Sequence, residues 1–227
     1  SEQIFRELIS AVNQRCAEIG RVWKDRAHEG DAHEEDKDED AIPPVAFAVV
    51  TGDLTESGEM SQYAVFLELL DLLEIPTYVC AGNHDRKALN YEHVFYQLYY
   101  NFTFGNDGYL VFDTKDYHIG DEAGPQDGDL ERLRQSIISS RWAIGVTHRY
   151  HPTMSMRAQL TLFVDNPLDY LLYGHVHRES KPEEQRVPWG TTSTIITPAA
   201  IDGVYRIVVV QTNRVLSLPI EQPVQVR

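Results

Sequence analysis

"YVCAGNHDR", residues 78–86, runs from a short apolar stretch straight into Gly82-Asn83-His84-Asp85. Gly-Asn suits a tight turn, and Asn, His and Asp are common loop residues. The same polar groups also carry oxygen and nitrogen donors of the kind that hold metal ions and phosphate. "IPTYVCAGNHD" reads as a strand, so these groups stand at its carboxyl end. Whether other strands end in the same way decides between a turn and a site.

Three others do. "VAFAVVTGD" (45–53) is a continuous apolar run ending in Gly52-Asp53. Such a run fits a strand covered on both faces. "WAIGVTH" (142–148) ends in His148, and "LDYLLYGHVHR" (168–178) ends in His175 and His177. In open α/β sheets, ligands bind outside the carboxyl ends of the strands. Carboxylate, carboxamide and imidazole are ligands for manganese, iron, nickel and zinc. Asp53 has two oxygens and can bridge two cations. His175 and His177 are two apart, so an extended segment points both to one face. Singly, each feature has an ordinary reading: a strand-end turn, half-buried strand polarity, a hydrogen-bonded core histidine. The same chemistry at four strand ends favours a metal site.

The connecting segments read coarsely. Ile4, Phe5, Leu8, Ile9, Val12, Cys16 and Ile19 recur at helical spacing, which predicts a helix over 1–20. "MSQYAVFLELLDLLE" (60–74) is a second helix, with Ser61 as candidate cap and a stripe through Tyr63, Phe66, Leu67, Leu70 and Leu73. Strand, helix and strand in this order make a right-handed crossover unit. The aromatic-rich stretch 86–107 predicts one short helix near Tyr91 to Leu98. "YLVFDT" and "YHIGD" are expected as short strands, and "GDLERLRQSIISS" and "SMRAQLTLFVD" as helices. "STIITPAA", "VYRIVVVQ" and "RVLSLPI" are expected as strands of an antiparallel sheet. No repeat or interdomain linker is visible, so residues 1–227 are expected to form a single domain.

A chain of 227 residues with 42% hydrophobic content can bury a core, which excludes a disordered chain. No apolar run approaches the ~20 residues of a membrane span, and the first residues lack the charge and apolar block of a signal peptide. Two cysteines are too few for a disulfide framework, so a reduced, cytoplasmic protein is expected, with Cys80 a small core residue. The formal net charge is −15, and residues 29–40 hold eight acids against one Lys. The acidic segment 29–42 is expected to be a mobile, solvated insertion. Such a balance makes long nucleic acid a poor partner. A small anionic ligand held by bound cations fits better.

"GDLTESGEMSQY", "GNHD", "THRYHP" and "YGHVHR", in that order, resemble the calcineurin-like metallophosphoesterase superfamily over about residues 45–210. Gly-Asp-Leu-Thr followed by Gly58, Tyr63 and Phe66 is most similar to the cyclic-nucleotide and glycerophosphodiester phosphodiesterase branch. The resemblance implies a four-layer αββα sandwich of two mixed sheets, with the metal site at the carboxyl ends of the strands. It implies two divalent or mixed-valence ions, drawn from manganese, iron, zinc and nickel. Asp53 would bridge them, Asn83, His148 and His175 would complete one shell, and His177 would belong to the other. His84 would sit beside the substrate and protonate the leaving oxygen, steadied by Asp85. The implied activity is hydrolysis of a small phosphoester by a metal-bridging hydroxide, as a phosphodiesterase or phosphatase. The alternative is a non-hydrolytic binding module on the same fold.

The family pattern also has an earlier strand ending in Asp-x-His, ahead of the first helix. This sequence starts at the helix and has no initiator Met, so residues upstream of Ser1 are expected to supply that motif. Asp31-Ala32-His33 is an Asp-x-His within the acidic segment, but no strand precedes it, and ligands on loops lack rigid placement. His151 competes with His148 as a ligand; His148 is preferred because it directly follows a strand. His28, His93 and His118 read as surface or structural residues.

Overall fold

The first element is a 28-residue helix, α1 (Glu2–Glu29). The computed structural model describes residues 2–29, 42–114, 127–150 and 154–226. After α1 come β1 (Ala48–Val50), α2 (Met60–Leu70), β2 (Thr77–Val79), α3 (Tyr91–Phe95), β3 (Tyr100–Phe104) and β4 (Asp107–Val111). They are followed by α4 (Asp127–Ser136), β5 (Ala143–Val146), α5 (Met156–Leu160), β6 (Tyr170–Tyr173), β7 (Ser193–Ile196), β8 (Val208–Val210) and β9 (Val215–Ser217). This is the mixed α/β class that the alternation of apolar segments predicts. The described residues group into two compact units.

One unit takes the described residues of Ser1–Val49, Leu67–Tyr78 and Ala200–Arg227. Leu8, Ile9 and Ile19 of α1 are buried, as the helical stripe requires. Asn13 works in both directions: its amide donates to the Leu72 carbonyl at 2.7 Å, and its oxygen accepts the Glu74 N–H at 3.0 Å. Arg15 donates to Glu221 at 3.1 Å, and Glu221 also accepts the Tyr205 hydroxyl at 2.5 Å. β8 and β9 form an antiparallel pair.

The other unit takes Val50–Phe66 and Val79–Ala199. Its sheet has five strands in the order β3-β4-β5-β6-β7. β3 is antiparallel to β4; the other neighbours are parallel. β4 and β5 are buried at every position, which suits the apolar stretches 109–111 and 143–146. The one acid in β4, Asp107, is gripped by Arg141 through two bonds of 2.8 and 2.6 Å, so its charge is paired. Phe112, Leu130, Phe163 and Leu168 fill the core beside this sheet.

β1 and β2 pair with each other. Ala48 donates to the Pro76 carbonyl, and Cys80 donates to the Val50 carbonyl. Both partners' numbers rise together, the pattern of parallel strands joined by a crossover helix, here α2.

Several expectations are corrected. α1 runs past Gly20 to Glu29, because nothing caps it there and Arg, Lys and Ala sustain helix beyond. Ser61 lies inside α2 rather than capping it; Gln62 instead reaches back and accepts the Ser57 N–H at 2.9 Å. In α2 Leu69 is buried and Leu67 is 39% exposed. At 100° per residue, Leu69 lies about 60° from Phe66 and Leu67 about 100°, so Leu67 falls on the rim. β3 is a strand that the sequence reading did not include. β7 joins β6 in parallel, not in an antiparallel tail; of the three expected tail strands, β8 and β9 pair antiparallel. The helix at 155–165 forms, but its last turn, Thr161–Asp165, is π-helical. "YHIGD", residues 30–41 of the acidic segment, His118 and His151 lie outside the described residues.

Candidate metal centre

The site is built where β1, β2, β5 and β6 end. After β1 the chain turns through Gly52 (φ 83°) and Asp53 (φ 54°). Two consecutive left-handed residues aim the Asp53 carboxylate back across the strand ends, and Asp tolerates that conformation better than most residues. After β6, Gly174 precedes His175, which also has a left-handed backbone (φ 65°). Strain at two residues of one cluster is a mark of functional geometry.

Two glycines let the segments close. A Cβ on Gly82 would stand 2.1 Å from the Asp53 nitrogen and 2.2 Å from Asp53 Oδ1. A Cβ on Gly52 would stand 2.8 Å from both the Gly82 nitrogen and His148 Nδ1. No side chain fits at either position.

His148 is the centre of the cluster and is buried. Its Nδ1 lies 2.8 Å from the Thr51 carbonyl, so Nδ1 carries the proton and donates. Nε2 therefore presents its lone pair. It faces Asn83 Oδ1 at 3.0 Å, His175 Nδ1 at 3.0 Å and Asp53 Oδ2 at 3.3 Å. Lone pairs gathered this closely repel unless a cation lies among them. Ligand atoms about 2.1 Å from an ion stand about 3.0 Å apart at right angles and about 3.4 Å apart at tetrahedral angles. The observed spacings fall in that range, so the residues fit a divalent ion. One ligand atom from each of Asp53, His148 and His175 lies within 4.8 Å of the others.

Electrostatics favours the same assignment. Burial pushes the Asp53 carboxyl up, but the hydrogen bond from the His84 N–H helps hold Asp53 below the usual carboxylate range. Burial first, and also the positive charge of Arg149, pull His175 below the usual imidazole range. Near neutral pH the cluster is thus an anionic oxygen beside a deprotonated nitrogen.

His177 is exposed and stands outside this group. The His84 backbone N–H donates to Asp53 Oδ1 at 2.9 Å, which places the residue directly beside the cluster. Its ring Nδ1 lies 2.8 Å from the Glu56 carbonyl. Asp85 is fully buried, and the described contacts of its carboxylate are not with the His84 ring. It accepts N–H groups from Gly82 (2.8 Å), Thr55 (3.0 Å) and Leu54 (3.1 Å), and hydroxyls from Thr55 (2.9 Å) and Tyr63 (3.3 Å). Asp85 thereby ties the loop after β1 to the loop after β2. His93 is exposed on α3, while Asp31 and His33 lie outside the described residues.

Sequence reasoning missed Thr55, Glu56, Lys87 and the carbonyl of Thr51. Thr55 and Asp85 are 30 residues apart, and the acceptors at Thr51 and Glu56 are backbone oxygens that no residue type announces.

A family model described as calcineurin-like phosphoesterase matches residues 21–179, more than half of the chain. The chain belongs to the calcineurin-like phosphoesterase family. Members of this family generally hold a pair of metal ions, which accords with the donor set around His148. A 43-residue stretch of this calcineurin-like phosphoesterase is 42% identical to the "probable glycerophosphodiester phosphodiesterase GpdQ" of Arcobacter nitrofigilis. The match covers 19% of this chain and 16% of that relative. Among solved structures, purple acid phosphatase PPD1 from yellow lupin (Lupinus luteus) seeds aligns with a TM-score of 0.51 and 16% identity. That alignment covers 67% of this chain and 36% of the lupin protein, and it shows a shared fold. A second structure, TT1561 of Thermus thermophilus, aligns with a TM-score of 0.46 and 16% identity, over 76% of this chain and 85% of that one. Among the described residues, no helix is long and apolar enough to cross a membrane.

Proposed function

We propose that this calcineurin-like phosphoesterase is a phosphodiesterase that hydrolyses a small substrate at a dimetal centre of manganese, iron, zinc or nickel. The convergence of Asp53, Asn83 and His175 on the unprotonated nitrogen of His148 carries the reading. The glycerophosphodiester relative supports diester over monoester chemistry. In this reading Asp53, Asn83, His148 and His175 hold one ion, and His177, with Asp53, belongs to the other. When bound, the ions supply the Lewis acid and the activated water of two-metal hydrolysis.

The chain's own residues do the remainder. His84, beside Asp53, donates a proton to the leaving oxygen. Asp85 acts on the loops rather than on the His84 ring: by holding Gly82 and Leu54–Thr55 together it fixes where Asp53 and Asn83 meet. We read residues 1–227 as one catalytic domain, in a four-layer αββα arrangement. The two free cysteines, Cys16 and Cys80, support a reducing, cytoplasmic setting.

Turnover of bis-p-nitrophenyl phosphate, with and without added manganese, tests the reading. Hydrolysis that needs metal and is lost in His148→Ala is the expected result. A chain that retains metal and hydrolyses no phosphoester would instead be a binding module.

A further inference from the structure

Among the described residues, four other than glycine have a positive φ. Two are Asp53 and His175, which belong to the cluster. The other two are Leu89 (φ 55°) and Tyr96 (φ 65°). These are also the two most exposed large apolar side chains among the described residues, at 71% and 83%. Bulky residues seldom adopt such a backbone, and an exposed one adds little packing to offset the strain. Leu89 lies on the loop that carries His84. The Lys87 N–H donates to the His84 carbonyl at 3.2 Å and turns that loop back on itself. Both chain neighbours of Leu89 then meet Gly58, in the loop after β1. A Cβ on Gly58 would stand 3.1 Å from the Ala88 nitrogen, and the Asn90 amide donates to the Gly58 carbonyl at 3.0 Å instead of capping α3. Lys87 Nζ, 2.9 Å from the Glu56 carbonyl, adds a third tie between the two loops. These contacts hold Leu89 in its strained form, with its side chain in solvent, on the loop that flanks Asp53.

We propose that Leu89 is a specificity-determining residue that packs against an apolar ester group of the substrate. The site then favours diesters of aryl or larger alkyl groups over those of small or hydroxylated ones. The inference rests on the reading of the cluster around His148 as the place where a phosphoester binds. With phosphorus there, the His84 loop borders the groups esterified to it. Leu89 supplies apolar area that leaves water when such a group docks. Tyr96 stands at the far end of α3, about 10 Å further along by helical rise, and takes no part.

The test is calorimetric binding of diphenylphosphinate and dimethylphosphinate to the manganese-loaded protein. Their P–C bonds cannot be hydrolysed, so the readout does not depend on turnover. The native chain is compared with Leu89→Asn, Leu89→Met and Tyr96→Asn. The native protein should bind the diphenyl compound more tightly. Leu89→Asn should weaken that binding about fivefold, the effect of losing half a leucine's apolar contact, and leave the dimethyl compound unchanged. Leu89→Met should bind as the native chain does, and Tyr96→Asn should change neither affinity. Leu89→Asn should not lower Tm, because Asn accepts a positive φ more readily than Leu. Equal weakening of both compounds, no weakening of the diphenyl compound, the same loss in Tyr96→Asn, or a lower Tm in Leu89→Asn overturns the proposal. If the native protein hydrolyses no phosphoester yet the phosphinate preference shifts as stated, the inference about Leu89 stands and the phosphodiesterase reading falls. Metal-dependent hydrolysis with an unshifted preference means the reverse.

Discussion

His148 Nε2 and His175 Nδ1 lie 3.0 Å apart, their rings edge to face at 77°. Thr51 holds the His148 proton on its far nitrogen, so this short approach is favourable only with positive charge between the rings.

Metal removal should therefore destabilise the protein. A ligand that binds only the folded state at a hundred times its Kd adds about 2.7 kcal/mol. Dialysis against a chelator should lower Tm, and manganese or zinc should restore it. His148→Ala should abolish the metal-dependent part of the shift. A Tm indifferent to metal in the native chain would argue against an ion at this cluster.

His84→Ala should retain metal and lose most turnover. A general acid contributes roughly 10²–10⁴-fold. The loss should be smallest for nitrophenolate, which needs little protonation to leave. Elemental analysis and a leaving-group series check both halves. A uniform loss across the series would mean that His84 holds phosphate without donating a proton.

Asp85→Ala should act on stability before it acts on chemistry. It strands the N–H groups of Gly82, Leu54 and Thr55, which now bond to a buried carboxylate. Hydrogen bonds to charged groups are worth about 1.5–3 kcal/mol each, so a cost of roughly 3 kcal/mol or more is expected in urea unfolding. Metal affinity should fall with it. An unchanged urea midpoint with reduced turnover would restore Asp85 to the role of partner to the His84 ring.

Acid should loosen the segment beyond His177. Glu184 binds Arg178 through both oxygens, at 2.5 and 2.6 Å, and accepts the Lys181 N–H at 2.9 Å. Arg178 first, then that N–H, lowers the Glu184 carboxyl from 4.5 to about 2. A depressed folded value means that the contribution is whole above pH 4.5 and is lost as pH falls toward about 2. Exchange of the Lys181 amide, corrected for its intrinsic rate, should accelerate across that window in the native chain and show no such step in Glu184→Gln. A flat protection profile in the native chain would count against the linkage.

What the sequence made legible followed from contrast. Asp53, Asn83, His148 and His175 each interrupt an apolar run at a strand end, so their type and position stood out, and the chain brings these four together. The partner strands of β7 were not legible, because a period of two says that a segment is a strand but not which neighbour it chooses. β3 was hidden by "YNFTF", whose aromatics suit a helix face or a strand equally. The acceptors for His84 and His148 were invisible because they are main-chain oxygens of Glu56 and Thr51. Asp85 was misleading for a related reason: proximity in sequence to His84 suggested a partner, while its five contacts run to residues of two loops and to Tyr63 of α2.

The partners that meet at His148 are distant along the chain: Asn83 is 65 residues away and His175 is 27 residues away. Contacts between remote segments form only after the intervening chain has closed its loops. No local fragment holds the set, so an ion held there would not serve as an early nucleus for folding. During synthesis the cluster is incomplete until His175 has left the ribosome. Loading is then a property of the finished fold, and a chain that stalls or is cut before β6 can carry β1, α2 and β2 yet bind no ion at this place.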